Sequence, residues 1–204
     1  MGNSGIIEVD NPSQIFLSGY KEEAVGSVVV PALEGSRPLL VEIQALTTPN
    51  NFGPPRRIAN GVDFNRLLLI TAVLTKRAGL KLFNQDIIVN VTGGLRISEP
   101  AVDLGIATAI ASSYHDSKPI SRLVVLGEVG LSGELRGVPQ IERRVAEAVR
   151  LGFKSCLMPQ FKSKQSFDHA DIQLIEASSV AEALKLGLTR RNTKSDKCPV
   201  NRNG

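Results

Sequence analysis

Tryptophan is absent from this 204-residue chain and aromatic residues make up only 4% of it, so any core it builds has to be aliphatic. Cysteine is nearly as scarce, with Cys156 and Cys198 alone. Two cysteines give no disulfide framework and no metal-ligand spacing, which favours a reducing compartment. Cys156 lies in the apolar run Ser155-Cys156-Leu157-Met158 and reads as a small buried hydrophobe. The two histidines, His115 and His169, have no partner pattern and read as surface or structural residues. No apolar run approaches the ~20 residues needed to span a bilayer, so no membrane partner is expected. The opening Met1-Gly2-Asn3-Ser4-Gly5-Ile6 lacks the basic-then-apolar order of a signal peptide. It also has Ile6 where a myristoylation pattern needs Ser or Thr, and it reads as the excised end of a longer protein.

Hydrophobic residues make up 42% of the chain, enough for one well-buried core. The net charge of +4 is unevenly spread. Residues 189–204 carry five basic side chains against Asp196, and residues 54–97 carry seven against Asp63 and Asp86. The basic character therefore sits in a tail and in one segment, and the rest of the chain is net acidic. A charge run is most often a solvated face, but the 54–97 segment combines its arginines with a long loop and is the one to test for an anionic partner.

Two β-branched runs, Gly26–Leu33 and Pro38–Leu46, flank Glu34-Gly35-Ser36-Arg37, a hairpin turn. Residues 47–61 hold three prolines and two glycines and read as a long loop. A helix is expected over Val62–Ala78, where Phe64, Leu67, Leu68, Thr71 and Leu74 recur at helical spacing before Gly79. The strand Asp86–Val91 follows. A second helix opens at Pro100 and runs to about Ser113; it is apolar nearly all round and should be the buried central helix. Its Gly105, Ala107 and Ala109 allow a very close neighbour. Then come a strand at Leu123–Leu126, a glycine-punctuated stretch from Gly127 to Gly137 and a helix over Pro139–Leu151. Strands at Ser155–Met158 and Ile172–Ile175 and a helix over Ser179–Leu186 complete the pattern. Strand runs first and strand–helix alternation later imply an α+β fold, a mixed β-sheet packed with about four helices. The expected division is a lead-in segment at 1–24, one domain at 25–187 and a disordered basic tail at 188–204.

The stretch Gly127-Glu128-Val129-Gly130-Leu131-Ser132-Gly133, followed by a helix and Gly152-Phe153-Lys154-Ser155-Cys156-Leu157-Met158-Pro159, resembles the proteolytic domain of Lon-type proteases. The resemblance implies a ribosomal protein S5 domain 2-like fold and a Ser–Lys catalytic pair. Such a pair works because the serine needs an amine to take its proton, and a lysine serves only with a depressed pKa. Aligned on these landmarks, the serine position is Asp103 and the lysine position is Glu142; a one-residue slip would put Arg143 there instead. Neither carboxylate does the job of the group it replaces, and a guanidinium stays protonated. The nearby serines, Ser98, Ser112, Ser113 and Ser132, have no matching lysine. The two acids are open to three readings: a new acid–base pair, a metal site, or a remnant salt-bridged to Arg143 or Arg144.

A narrower resemblance rests on more of the chain. Val9-Asp10-Asn11-Pro12-Ser13-Gln14-Ile15-Phe16-Leu17-Ser18, Gly35 through Leu46, Pro55-Arg56-Arg57, Asp63-Phe64-Asn65-Arg66-Leu67 and Glu99-Pro100-Ala101-Val102-Asp103-Leu104 are similar to the C-terminal region of the RadA (Sms) family of DNA repair and recombination ATPases. This similarity covers roughly residues 5–186. It implies a proteolytically inactive Lon-like platform of a larger, helicase-like protein that drives branch migration. Its partners would be copies of itself in a ring, expected to be a hexamer, single-stranded or branched DNA, and a RecA-type recombinase through the parent. The chain has no Cys-x-x-Cys finger, no Gly-x-x-x-x-Gly-Lys-Ser/Thr phosphate loop and no Lys-Asn-Arg-Phe-Gly motif. No cofactor is therefore expected here; zinc, ATP and magnesium are expected only in N-terminal domains of the parent. The compartment implied is the bacterial cytoplasm, or a chloroplast or mitochondrion if the source is eukaryotic.

Charge map and resemblance converge on Arg56, Arg57, Arg66 and Arg96 as phosphate contacts, with Lys76 and Arg77 as weaker candidates that also suit the negative end of their helix. Each is equally readable as a surface charge or an inter-subunit ion pair. Phe52 reads as a base-stacking or packing residue on the long loop. Arg190, Arg191, Lys194 and Lys197 read as a solubilising tail or a source of non-specific attraction.

Overall fold

The structure is a computed structural model and describes residues 13, 17, 19–22, 24–51, 53–160 and 171–189. Its elements follow in the order β1 (Ser27–Glu34), β2 (Arg37–Pro49), β3 (Arg57–Asn60), α1 (Phe64–Arg77), β4 (Gln85–Val91), α2 (Asp103–His115) and β5 (Leu123–Val125). Next come β6 (Glu128–Val129), β7 (Leu135–Arg136), α3 (Ile141–Arg150), β8 (Ser155–Pro159), β9 (Gln173–Ala177) and α4 (Val180–Gly187). Short 3-10 turns at Thr92–Gly94 and Pro100–Val102 link β4 to α2.

Seven strands form one mixed sheet in the order β3-β4-β2-β1-β5-β8-β9, while β6 and β7 make a separate small hairpin. β1 and β2 pair antiparallel across a tight turn in which Gly35 takes φ 60°, a conformation that favours glycine. β1 pairs parallel with β5 through Val29 and Val124, and β5, β8 and β9 continue parallel.

Strand alternation divides the core in two. Val28, Val30, Val41 and Ile43 point to the face covered by α1, α2 and α4, whereas Val29, Leu40, Val124 and Cys156 point to the face covered by α3. The helix α2 is buried along its length, as its composition requires. A Cβ at Gly105 would overlap Val30 Cγ1, so this glycine sets how closely α2 lies on β1. Polar groups on α2 are bonded locally: Thr108 Oγ1 donates to Leu104 O at 2.7 Å, and Ser112 Oγ donates to Ser117 O at 2.6 Å while accepting from Gly26 N at 2.8 Å.

Three details differ from the sequence expectation. The segment 47–61 is not one long loop: β2 runs on to Pro49, and Arg57–Asn60 forms the edge strand β3, held by parallel pairing with β4. Pro54 and Pro55 stay outside both strands, where their missing N–H groups cost nothing. The glycine-punctuated stretch contains the β6–β7 hairpin, whose far side bonds to the start of α4 through Leu135 N to Ser178 O at 3.1 Å and Val180 N to Gly133 O at 2.9 Å. Pro100 opens a 3-10 turn, and the α-helix proper begins at Asp103.

Candidate functional site

Asp103 lies at the first position of α2, where the chain is fixed by two bonds to the next glycine-rich segment: Gly127 N donates to Ala101 O at 2.8 Å and Leu104 N donates to Gly127 O at 3.0 Å. Its side chain is fully buried. Arg66 Nε, on the first turn of α1, donates to Asp103 Oδ1 at 2.6 Å, and Val129 N donates to Oδ2 at 3.1 Å. Burial pushes the carboxyl up to about 6; the Arg66 and Val129 bonds pull it down without cancelling that, and the charge of Glu128 adds to the rise. Both oxygens are thus engaged by donors of the fold, and at neutral pH the group is mostly ionised. Arg66 Nη2 is buried with no hydrogen-bond partner among the described residues.

Glu142 is not among the groups bonded to this carboxylate. It is exposed on the first turn of α3, which covers the opposite face of the sheet. The two acids stand in different surroundings, Asp103 buried against Arg66 and Glu142 open to solvent. The expected pairing with Arg143 or Arg144 is replaced: Asp103 pairs with Arg66. Arg143 donates from Nη1 to Ser36 O at 3.2 Å and to Gln140 Oε1 at 3.1 Å. Arg144 is fully buried and bidentate to Glu99, at 2.9 and 2.6 Å, with further bonds to Pro139 O and Pro31 O.

The serines near the two motif positions have assigned roles or lie open. Ser112 is spent inside the fold as above, and Ser113 Oγ accepts from Thr47 N at 2.9 Å. Ser132 Oγ donates to Glu134 Oε2, which also accepts from Ser132 N at 3.1 Å. These bonds and those from Arg136 hold the Glu134 carboxyl down at about 2. Ser98 is exposed. Among the described residues no three His, Cys, Asp or Glu side chains gather into a metal-binding group. Cys156 is fully buried and its thiol is pushed up to about 12 by that burial.

The sequence-selected basic residues fall at two ends of one β–α unit rather than in a single patch. Because β3 and β4 are parallel, α1 must run back along them. Arg66 and Arg96 lie at the end where β3 exits, joined there by Ile97 N donating to Gly61 O at 2.8 Å. Arg56, Arg57, Lys76 and Arg77 lie toward the other end, about 20 Å away along a 14-residue helix. Arg57 spends its guanidinium on carbonyls, donating to its neighbour Arg56 O at 2.8 Å and across to Leu82 O at 2.9 Å and Gln85 O at the start of β4. Arg56 is largely exposed; its backbone N donates to Asp86 Oδ1 at 2.7 Å, and its Nε lies 3.5 Å from Oδ2. Arg77 packs its stem on Gly133 and donates from Nε to Leu131 O at 3.4 Å. Lys76 and Arg96 are exposed. Phe52, His169, Arg190, Arg191, Lys194 and Lys197 lie outside the described residues, as does Cys198.

The relatives of the chain bear on what this geometry serves. The family model described as subunit ChlI of Mg-chelatase matches residues 65–162, from the first turn of α1 to just beyond β8. DNA repair protein RadA of Halalkalibacterium halodurans is 50% identical over 190 residues, 93% of this chain and 42% of that protein. The chain is homologous to part of RadA. The RadA of Listeria monocytogenes is 47% identical over 188 residues, 92% of this chain and 41% of its own length. That of Streptococcus pneumoniae is 46% identical over 185 residues, 91% of this chain and 44% of its own. The chain thus spans about two fifths of the length of these RadA proteins. Among the described residues no helix is long and apolar enough to cross a membrane.

Proposed function

We propose that this chain is a proteolytically inactive, Lon-like platform of a RadA-type DNA repair and recombination ATPase, serving ring assembly and sequence-independent DNA contact. The observation that carries the inactive reading is the state of Asp103. The residue at the position resembling the Lon serine is a buried carboxylate held by Arg66 and the Val129 amide. It has no hydroxyl to deprotonate, and Glu142 at the other motif position supplies no amine. In this reading Asp103 and Arg66 form a structural tie between α2 and α1, and the former catalytic end of the fold is used for cohesion.

The assembly reading is supported by the uncovered part of the second sheet face. Leu46 on β2, Ile88 on β4 and Ile58 on β3 stand side by side in register, with Leu46 and Ile58 57% and 40% exposed. A second copy of the chain is the occupant we assign to this row, in a ring we take to be hexameric. The DNA reading is supported by the exposed basic side chains Arg56, Arg96 and Lys76 and by the similarity to RadA proteins named for DNA repair. ATP, magnesium and zinc belong, in this proposal, to parts of the parent outside the chain, as does contact with a recombinase; the bacterial relatives favour a cytoplasmic setting.

Fluorophosphonate treatment of the purified chain tests the inactive reading: no stoichiometric serine adduct is expected, and one would restore the residual-peptidase alternative. Light scattering with and without single-stranded DNA tests the rest. Assembly with no DNA binding at any salt concentration would reduce the chain to a structural collar.

A further inference from the structure

We infer that the cleft between the β1–β2 turn and α3 is a second contact site for the phosphodiester backbone of nucleic acid, formed by Arg37 and Arg143 with Arg150 at its edge. It rests on the proposed DNA-binding reading and adds to it a site on the sheet face opposite the one where Arg66 lies.

The cleft holds about 390 Å³ and is lined by Arg37 and its turn neighbours on one side and by Arg143, Ala146, Glu147 and Arg150 on the other. The four α3 residues are spaced three, four and seven apart, so they share one helix face. Arg143 and Arg150 stand two turns apart, about 10 Å along the axis. The small exposed Ala146 lies between them and leaves room for a strand to approach.

Among the described residues lining the cleft, three guanidinium groups face a single carboxylate, and that carboxylate is already committed. Glu147 accepts from Arg150 at 2.9 and 2.6 Å and from Ser13 Oγ at 2.9 Å. Burial raises its pKa, but those hydrogen bonds and the charges of Arg150 and Arg37 outweigh burial and hold it below the ordinary value. No second carboxylate lines the cleft among the described residues, so Arg37 and Arg143 have no acidic partner of their own within it. Arg143 is pre-set for an incoming ligand: Nη1 is anchored to Ser36 O and Gln140 Oε1, while Nε and Nη2 make no hydrogen bond among the described residues. A half-anchored guanidinium loses less freedom on binding a phosphate oxygen than a loose one. By contrast Arg57 and Arg66 spend their guanidinium groups on the fold itself. The cleft is open along its length, which suits a chain laid across it and not an enclosed small molecule.

The test is fluorescence anisotropy of a labelled oligothymidylate with the purified chain across 25–200 mM salt, comparing wild type, Arg37→Gln/Arg143→Gln and Arg37→Lys/Arg143→Lys. Each phosphate contact on a single strand contributes about 0.7 to the slope of log affinity against log salt. The glutamine pair should lower that slope by about 1.4, and the lysine pair, which keeps the charge, should retain it. Thermal unfolding of each variant verifies folding. A glutamine pair that binds with the wild-type slope overturns the site while leaving the DNA-binding reading intact. Loss of binding to a glutamate-rich peptide with DNA binding unchanged overturns it in favour of an acidic protein partner. A wild type that fails to bind DNA removes the broader reading and this site with it.

Discussion

Arg66 Nε lies 2.6 Å from Asp103 Oδ1, so the first turn of α1 is ion-paired to the first turn of α2 across 37 residues of sequence. Asp103 has no solvent exposure, whereas Arg66 keeps 28% of its side chain accessible. The pair joins the basic 54–97 segment to the position that resembles the Lon serine. Substitution at either residue therefore reads out on both stability and charge.

The Asp103 carboxyl titrates near 6 in the fold, against 3.8 for an unperturbed aspartate. Between these values the folded chain binds more protons than the unfolded one, so stability falls as pH rises through the window. A shift of about two units corresponds to roughly 3 kcal/mol. Urea unfolding at pH 4.5 and 7.5 should show wild type losing about 2 kcal/mol over that interval relative to Asp103→Asn, because pH 4.5 already lies inside the window. Carboxyls held low in the fold, such as Glu134 and Glu147, act in the opposite direction in both proteins. Parallel pH profiles for the two proteins would show that Asp103 is not the group responsible.

Arg144 is buried beneath the turn that leads into α3 and is bonded to Glu99. Removing one partner strands the other, which typically costs about 3–5 kcal/mol. Arg144→Ala is expected to lower the thermal midpoint by roughly 10 °C. Arg143→Ala, one residue away and exposed, should move it little. Equal shifts for the two would remove the distinction drawn between them.

Gly105 has no room for a methyl group because Val30 occupies the space. Gly105→Ala should destabilise by about 1–3 kcal/mol through overpacking, and Val30→Ala in the same chain should recover part of it. A double-mutant cycle from chemical denaturation measures the coupling; strictly additive losses would mean that the helix shifts instead of colliding.

Arg57 and Arg56 are adjacent yet should behave differently. Arg57 caps carbonyls at Leu82 and Gln85, and burial lowers its pKa despite the opposing charge of Asp86. Arg57→Ala is expected to cost about 1–3 kcal/mol of stability. Arg56→Ala is expected to leave stability nearly unchanged and to lower the salt dependence of DNA binding. Denaturation and anisotropy on the same two variants separate these outcomes.

Much of the scaffold could be read from periodicity alone. The β1–β2 hairpin was legible from two alternating apolar runs around Gly35, and α2 from an all-apolar stretch that only a core helix explains. β3 was not legible, because four residues after two prolines carry too little pattern and owe their strand form to β4. The β6–β7 hairpin was hidden for the same reason: its partners, Ser178 and Val180, come some forty residues later. At the site, the remnant reading offered Arg143 or Arg144 as partners for Asp103 or Glu142, while the ion pair formed joins residues 103 and 66. One signal did point there. An ionised residue inside an otherwise apolar helix needs a cation, and Arg66, just before the buried Leu67, is near enough to the inner side of α1 to supply it.

The placement of β1 has a consequence for how the protein is made. This strand sits mid-sheet, yet one of its two neighbours, β5, reaches it only through Val124, about 95 residues after Val29. At about 5–20 residues per second, a ribosome delivers that neighbour roughly 5–20 s later. In the interval the nascent hairpin carries an unpaired hydrogen-bonding edge rich in valine, a template for wrong pairing until β5 arrives.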